Sequence, residues 1–189
     1  IGLGTEHLSL YQLTIEPGTR FATDVVGRRF APLDEERAAA LFELTQQRTG
    51  EAGLPAYEIS NHARPGTESR HNLTYWRYGD YAGIGPGAHG RRGGLRTVRH
   101  RKPENFLAAL ARNGHGLEEE EPLSPEEAAH EALVMGLRLT EGLDAVGLVR
   151  WDAVDRLAGH GLLWRDDSRI GTTAPGRLLL DSILAEIAL

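Results

Sequence analysis

The alternation of apolar and polar positions divides the chain into two kinds of segment. Leu8 to Glu16 (LSLYQLTIE) is apolar on both alternating faces, with Leu8 and Leu10 on one and Tyr11, Leu13 and Ile15 on the other. That pattern predicts a strand covered on both sides, as in a parallel sheet flanked by helices. Pro17-Gly18 ends it in a turn. Asp34 is a good N-cap, and Glu35 and Glu36 follow it in the first turn, where the helix dipole favours carboxylates. Ala38, Leu41, Phe42 and Thr45 then keep helical spacing up to Gly50 or Gly53. A strand at Tyr57–Ser60 completes a strand–helix–strand order, which reads as a βαβ unit.

Later segments are mostly helical. Pro103 and Glu104 open a short helix ending near Gly114. Ser124-Pro125-Glu126-Glu127 is a capping box with proline at the first helical position. Ala129, Leu133 and Leu137 line one face of that helix, with Gly142 as its stop. A turn of helix at Ala145–Val149 and a clear helix at Asp152–His160 come next. Leu162–Arg165 and Arg169–Thr172 flank Asp166-Asp167-Ser168, a hairpin turn. Thr173 caps a last helix carrying Leu179, Ile183 and Ile187. Helices, a two-stranded wing and a helix make a winged-helix-like order.

Composition bounds the class. The chain has 189 residues, 40% hydrophobic and 25% charged, an ordinary globular balance. No apolar run approaches the ~20 residues of a membrane span, and the first residues do not read as a signal peptide. The chain starts at Ile1 in mid-pattern, without an initiator Met, which predicts the C-terminal part of something longer. Cysteine is absent, so no disulfide or thiolate metal site is built from these residues; a cytoplasmic location fits. Residues 1–119 hold fifteen basic and fourteen acidic side chains, whereas residues 120–189 hold six and thirteen, a net of +1 against −7. The run Glu118-Glu119-Glu120-Glu121 falls at that change, so a boundary is placed there, giving domains 1–119 and 120–189.

The chemistry is concentrated between Tyr57 and Gly90. Three of the five tyrosines lie from Tyr75 to Tyr81. In His71-Asn72-Leu73-Thr74-Tyr75-Trp76, a neutral imidazole can ligate haem iron or another transition metal, and Tyr and Trp offer flat apolar area with a polar tip. His71 and Tyr75 share a face in either a strand or a helix. One histidine does not define a metal site, so on the residues alone a hydrogen-bonded structural histidine is the plainer account. Gly85-Pro86-Gly87-Ala88-His89-Gly90 spells G-x-G-x-x-G, but Arg91-Arg92-Gly93-Gly94 follows instead of a helix, which excludes a dinucleotide fingerprint. What remains is a tight loop where backbone can approach a ligand, or a plain turn between strands. The Arg-rich run 91–102 suits nucleic acid, which the near-zero net charge of that half opposes, or carboxylates such as porphyrin propionates, or is simply a solvated loop. No pair among Glu6, Glu16, Glu58 and Asp80 has a spacing that demands acid–base work. The −7 charge of the C-terminal segment opposes a nucleic-acid partner, since phosphate neutralisation supplies most of that affinity.

Four strings carry a resemblance: HLSLYQLTIEPGT (His7–Thr19), YEISN (Tyr57–Asn61), RPGTESRHNLTYW (Arg64–Trp76) and YAGIGPGAHGR (Tyr81–Arg91). They resemble the oxygen-independent coproporphyrinogen III oxidase-like radical SAM family, most closely its haem-chaperone (HemW-like) branch. LTEGLD (Leu139–Asp144) and the final hairpin and helix resemble that family's C-terminal domain. The resemblance implies an α/β chain: the C-terminal fragment of a radical SAM partial (β/α) barrel, then a mostly helical winged-helix-like domain. It implies a haem chaperone handing haem to an acceptor protein, or alternatively an oxygen-independent coproporphyrinogen III oxidase. A winged-helix regulator is a third reading, which the acidic charge opposes. His71, Asn72, Tyr75 and Trp76 match the family's haem-associated HNxxYW motif. Gly85, Gly87, Ala88 and His89 match a loop beside S-adenosylmethionine, and Thr14 a strand position also near it. The family's [4Fe–4S] cluster sits on CxxxCxxC, which this chain lacks. His62 stands where the family pattern usually has Phe, the segment Asp144–Asp152 is shorter, and Ile170-Gly171-Thr172-Thr173 replaces a more apolar ending.

Overall fold

The structure, a computed structural model, describes all residues except Ile1 and Leu3; the start of the chain at Ile1 therefore lies outside the described residues. The chain divides into two compact units, one ending at Glu68 and one beginning at Ser69.

In the first unit β1 (His7–Ser9) pairs antiparallel with β2 (Asn61–Ala63), Leu8 opposite His62. Between them come α1 (Arg20–Val26), capped by Thr19, and α2 (Glu35–Glu51), capped by the Asp34 carboxylate on Arg37 N–H. α2 matches the sequence expectation. The expected strand Leu8–Glu16 does not: its ladder is three residues long, and among the described residues every ladder is antiparallel. Tyr11 and Leu13 are 76% and 57% exposed. A segment apolar on both faces needs cover on both. Here Leu10–Leu13 instead line a 530 Å³ cavity with Phe30–Leu33 and α2 residues Leu41 and Phe42. The expected strand Tyr57–Ser60 is also displaced. The buried Glu58 carboxylate accepts hydrogen bonds from Ser60 N–H (2.8 Å) and Asn61 Nδ2 (2.5 Å) and folds this stretch into a bend. Local side-chain bonds compete with the ladder, and the strand starts only after the expected one ends, at Asn61–Ala63.

The second unit opens with α3 (Arg70–Trp76), followed by β3 (His89–Arg92) and β4 (Leu95–Arg99). Gly93 and Gly94, both at positive φ (59° and 76°), form the two-residue turn between these strands as a hairpin of this hand requires. After α4 (Pro103–Asn113) the chain returns as β5 (Leu117–Pro122) on the other side of β4. The basic run is thus not a loop. Arg96 lies opposite Glu121 and their side chains meet at 3.1 Å, so the acidic run Glu118–Glu121 is a strand matched to the basic one.

α5 (Pro125–Gly136) carries the expected capping box and ends at Gly136, where a Cβ would press on Leu143. Gly142, expected as the stop, instead sits in the turn before β6 (Leu143–Asp144). α6 (Trp151–Gly159), β7 (Leu163–Asp166) and β8 (Arg169–Thr172) follow, the sheet order being β6-β8-β7. The expected last helix is split into α7 (Ala174–Arg177), capped by Thr173, and α8 (Leu180–Ile187). Pro175 and Gly176 are poor helix formers, and Gly176 is pressed against the Leu162 carbonyl. Leu133, Leu137, Leu139, Val154, Ile170, Ile183 and Ile187 are fully buried and form the core of the winged-helix-like part.

Candidate functional site

The Ser69 hydroxyl accepts from Asn72 N–H at 3.3 Å, and that N-cap resolves HNLTYW as a helix. One turn apart on α3, His71 and Tyr75 share a face, their rings 4.9 Å apart and edge-on. The Tyr75 hydroxyl lies 3.4 Å from His71 Nε2, and Asn72 Oδ1 lies 3.4 Å from His71 Nδ1. Each ring nitrogen thus has a polar neighbour, and which of them donates depends on the tautomer. The imidazole is exposed. The arrangement presents an exposed imidazole beside an aromatic ring.

Trp76 belongs elsewhere. Five residues turn a helix by roughly 140° beyond a full turn, and its indole packs under the Arg138 guanidinium at 4.6 Å. It lines a 290 Å³ cleft with Ala132, Gly136 and Leu143. The structure therefore brings His71, Asn72 and Tyr75 together and turns Trp76 toward the C-terminal helices.

Behind Tyr75 lies a second group that the residues alone did not reveal. The Tyr81 ring meets Tyr75 at a tilt, the centroids 4.4 Å apart. Tyr81 and Arg91 pair through both backbone hydrogen bonds, at 2.7 and 3.0 Å. Arg91 is 7% exposed, and its guanidinium lies 3.4 Å over the Tyr78 ring, a cation–π contact. It donates to the Gly79 carbonyl (2.9 Å) and to Glu131 of α5 (3.4 Å). Tyr78 hydroxyl donates to the same Glu131 oxygen at 3.0 Å. Burial, then the hydrogen bond to Glu131, pushes the Tyr78 phenol up, and burial does the same for Tyr81. In the sequence Arg91 is one cation in a basic run and Glu131 one acid on a capped helix; only a contact forty residues apart distinguishes them.

The glycine loop joins this second unit. Gly85 and Gly87 have φ of 92° and 71°, a conformation costly for other residues. Gly87 N–H donates to His100 O, Ala88 O accepts from Arg99 N–H, and His89 opens β3 facing Val98. Thr14 is exposed in the first unit, outside any strand. His62 is 1% exposed in β2. Among the described residues no group of three His, Cys, Asp or Glu side chains could hold a metal ion. With no cysteine in the chain, these residues do not fit the ligand set of an iron–sulfur cluster.

Residues 123–179 match the family model described as the HemN C-terminal domain. The chain is 36% identical over 203 residues to the radical S-adenosyl methionine domain-containing protein 1, mitochondrial, of Bos taurus, covering 96% of this chain and 46% of that protein. It is 35% identical over 199 residues to the heme chaperone HemW of Escherichia coli K12, 97% of this chain and 50% of the relative. The HemW of Bacillus subtilis is 32% identical over 189 residues, with 95% and 50% covered. The chain thus spans about half the length of the curated relatives it matches. Among solved structures, coproporphyrinogen III oxidase (HemN) from Escherichia coli superposes with a TM-score of 0.69 at 18% identity, over 97% of this chain and 48% of that one, which shows the fold. No helix among the described residues is long and apolar enough to cross a membrane. Over nearly its whole length the chain is therefore similar to about half of each of these radical SAM and HemW proteins, and its residues 123–179 match the HemN C-terminal domain.

Proposed function

We propose that this chain is the C-terminal portion of a radical SAM haem chaperone, and that it binds haem as cargo through His71 before passing it to an acceptor protein. The observation that carries the reading is the exposed His71 imidazole, with Nδ1 3.4 Å from Asn72 Oδ1 and Nε2 3.4 Å from the Tyr75 hydroxyl. Imidazole is a common axial ligand of haem iron, and the Tyr75 ring supplies apolar area against a macrocycle. The names of the HemW relatives support the cargo. In this reading residues 1–119 form the end of the barrel and 120–189 the C-terminal domain. Gly85, Gly87, Ala88 and His89 of the second unit are proposed as S-adenosylmethionine contacts, as is Thr14 of the first unit taken by itself, and the thiolates of any [4Fe–4S] cluster come from outside this chain. Such a cluster supplies one-electron chemistry when bound.

Titration with ferric haem, followed at the Soret band, tests the ligand. His71→Ala is expected to weaken binding more than Trp76→Leu, because a lost coordination bond outweighs one apolar contact of ~1.5–3 kcal/mol. His62→Ala and His89→Ala are expected to matter less, the first because its ring is buried in β2. An unchanged spectrum and affinity in His71→Ala would sink the assignment.

A further inference from the structure

We propose that Arg91, anchored by Glu131, is the positioning residue of the haem-ligating face of α3, so that the C-terminal helical segment sets the geometry of His71. The inference rests on the assignment of His71 as haem ligand. An unbroken series of contacts leads from α5 to the imidazole. Glu131 accepts from both Arg91 and Tyr78 through one carboxylate oxygen. Arg91 fills the space over Tyr78 and fixes Tyr81 through its own backbone. Tyr81 backs Tyr75 at 4.4 Å, and Tyr75 meets His71 ring to ring.

A buried guanidinium needs a reason. Removing such a charge from water costs several kcal/mol unless it is paired and its donors are satisfied. The Arg91 side chain is 8% exposed, whereas the neighbouring Arg92 and Arg96 are exposed residues of the same hairpin. Stability alone would be served as well by an apolar side chain. A planar cation with forked donors does something that an apolar group does not: it holds one orientation against a ring, a carbonyl and a carboxylate at once. Tyr78 is held in the left-handed region, at φ 56°, which a bulky residue adopts at a cost. Both features keep the Tyr78–Tyr81 turn, and with it the backing of Tyr75, in one arrangement.

The test uses ferric haem and the full protein, comparing Arg91→Lys, Glu131→Gln, His71→Ala and the double variant Arg91→Lys/His71→Ala. Lysine keeps the charge and loses the plane and the fork; glutamine keeps an acceptor for Tyr78 and loses the charge. Each positioning variant is expected to lose about tenfold in haem affinity, as is common when a group that orients a metal ligand is removed. The Soret maximum and the ferric electron-paramagnetic-resonance signal should move toward those of His71→Ala. The double variant should be no worse than His71→Ala alone, because Arg91 acts through His71. Wild-type affinity and spectra in both positioning variants, beside a loss in His71→Ala, would overturn the positioning role and leave the haem assignment standing. Additive losses in the double variant would also overturn it. A silent His71→Ala would remove the assignment and this inference together. Should Arg91→Lys fail to fold in a thermal melt, Glu131→Gln decides by the same criteria.

Discussion

The guanidinium of Arg77 forks onto the carboxylate of Glu141, Nε to Oε1 at 2.8 Å and Nη2 to Oε2 at 2.9 Å. Arg77 caps the C-terminal end of α3 and Glu141 lies in the loop after α5. The pair therefore ties the end of the His71 helix to the C-terminal helical segment, on the side where Trp76 packs. The Arg77 hydrogen bonds hold the Glu141 carboxyl below its ordinary value of 4.5. A group whose folded pKa is depressed stabilises the fold above its unfolded pKa and loses that contribution as pH falls through the folded value. Both side chains are about half exposed, so the contribution is small. Glu141→Gln should cost about 0.5–1 kcal/mol at pH 7. Urea titrations of both proteins should converge as pH drops below 4.5, and a difference that persists in acid would rule out the ion pair as its source.

Gly83 allows another close approach. A Cβ there would sit 2.3 Å from the His89 carbonyl oxygen and 2.6 Å from its carbon. Those are backbone atoms of β3, so the strand and the glycine loop must shift together. Gly83→Ala should destabilise by roughly 1–3 kcal/mol, the usual range for an overpacked site. Gly85→Ala meets open space and is strained only by its positive φ, so it should cost about 1 kcal/mol. Chemical denaturation measures both, and an equal cost at the two positions would show that crowding is not what makes Gly83 special.

The winged-helix-like order of α5, β6, α6, β7 and β8 invites a test with DNA. The segment from Glu120 carries a net charge of −7, and its arginines Arg156 and Arg165 are paired with Glu186 and Asp155. A fluorescence titration with duplex DNA at low salt should show no salt-sensitive binding in the micromolar range. Such binding would bring back the regulator reading.

The helices α2, α4, α5 and α6 were the legible part of the fold, whereas α1 was not expected and the turn of helix expected at Ala145–Val149 does not form. Asp34, Ser124 and Thr173 are caps that act within three residues, and each accepts the hydrogen bond its position predicts. The β7–β8 hairpin was legible for the same reason, since Asp167 and Ser168 suffice to turn it. The strands that failed depend on distant partners. Leu8–Glu16 has the right pattern but too little to pair with, and four consecutive glutamates have poor strand propensity until Arg96 and its neighbours face them. Tyr57–Ser60 lost its ladder to the Glu58 carboxylate, a bond that no periodicity reveals. In the site, His71, Asn72 and Tyr75 are close in sequence and could be found there. Arg91 and Glu131 could not, because each is ordinary in its own neighbourhood.

The glutamate strand also bears on how copies of this protein meet. β5 is an outer strand of its three-stranded sheet, with one side laddered to β4 and the other carrying unpaired backbone groups, the kind of rim on which strands from separate molecules stack. Glu118, Glu119, Glu120 and Glu121 are all exposed along it. A second β5 laid against the first would bring eight carboxylates together, and Pro122 closes the row without an N–H to offer. The charges that recruit the arginine strand on one flank make the opposite flank a poor template for its own kind, a safeguard against intermolecular sheet growth.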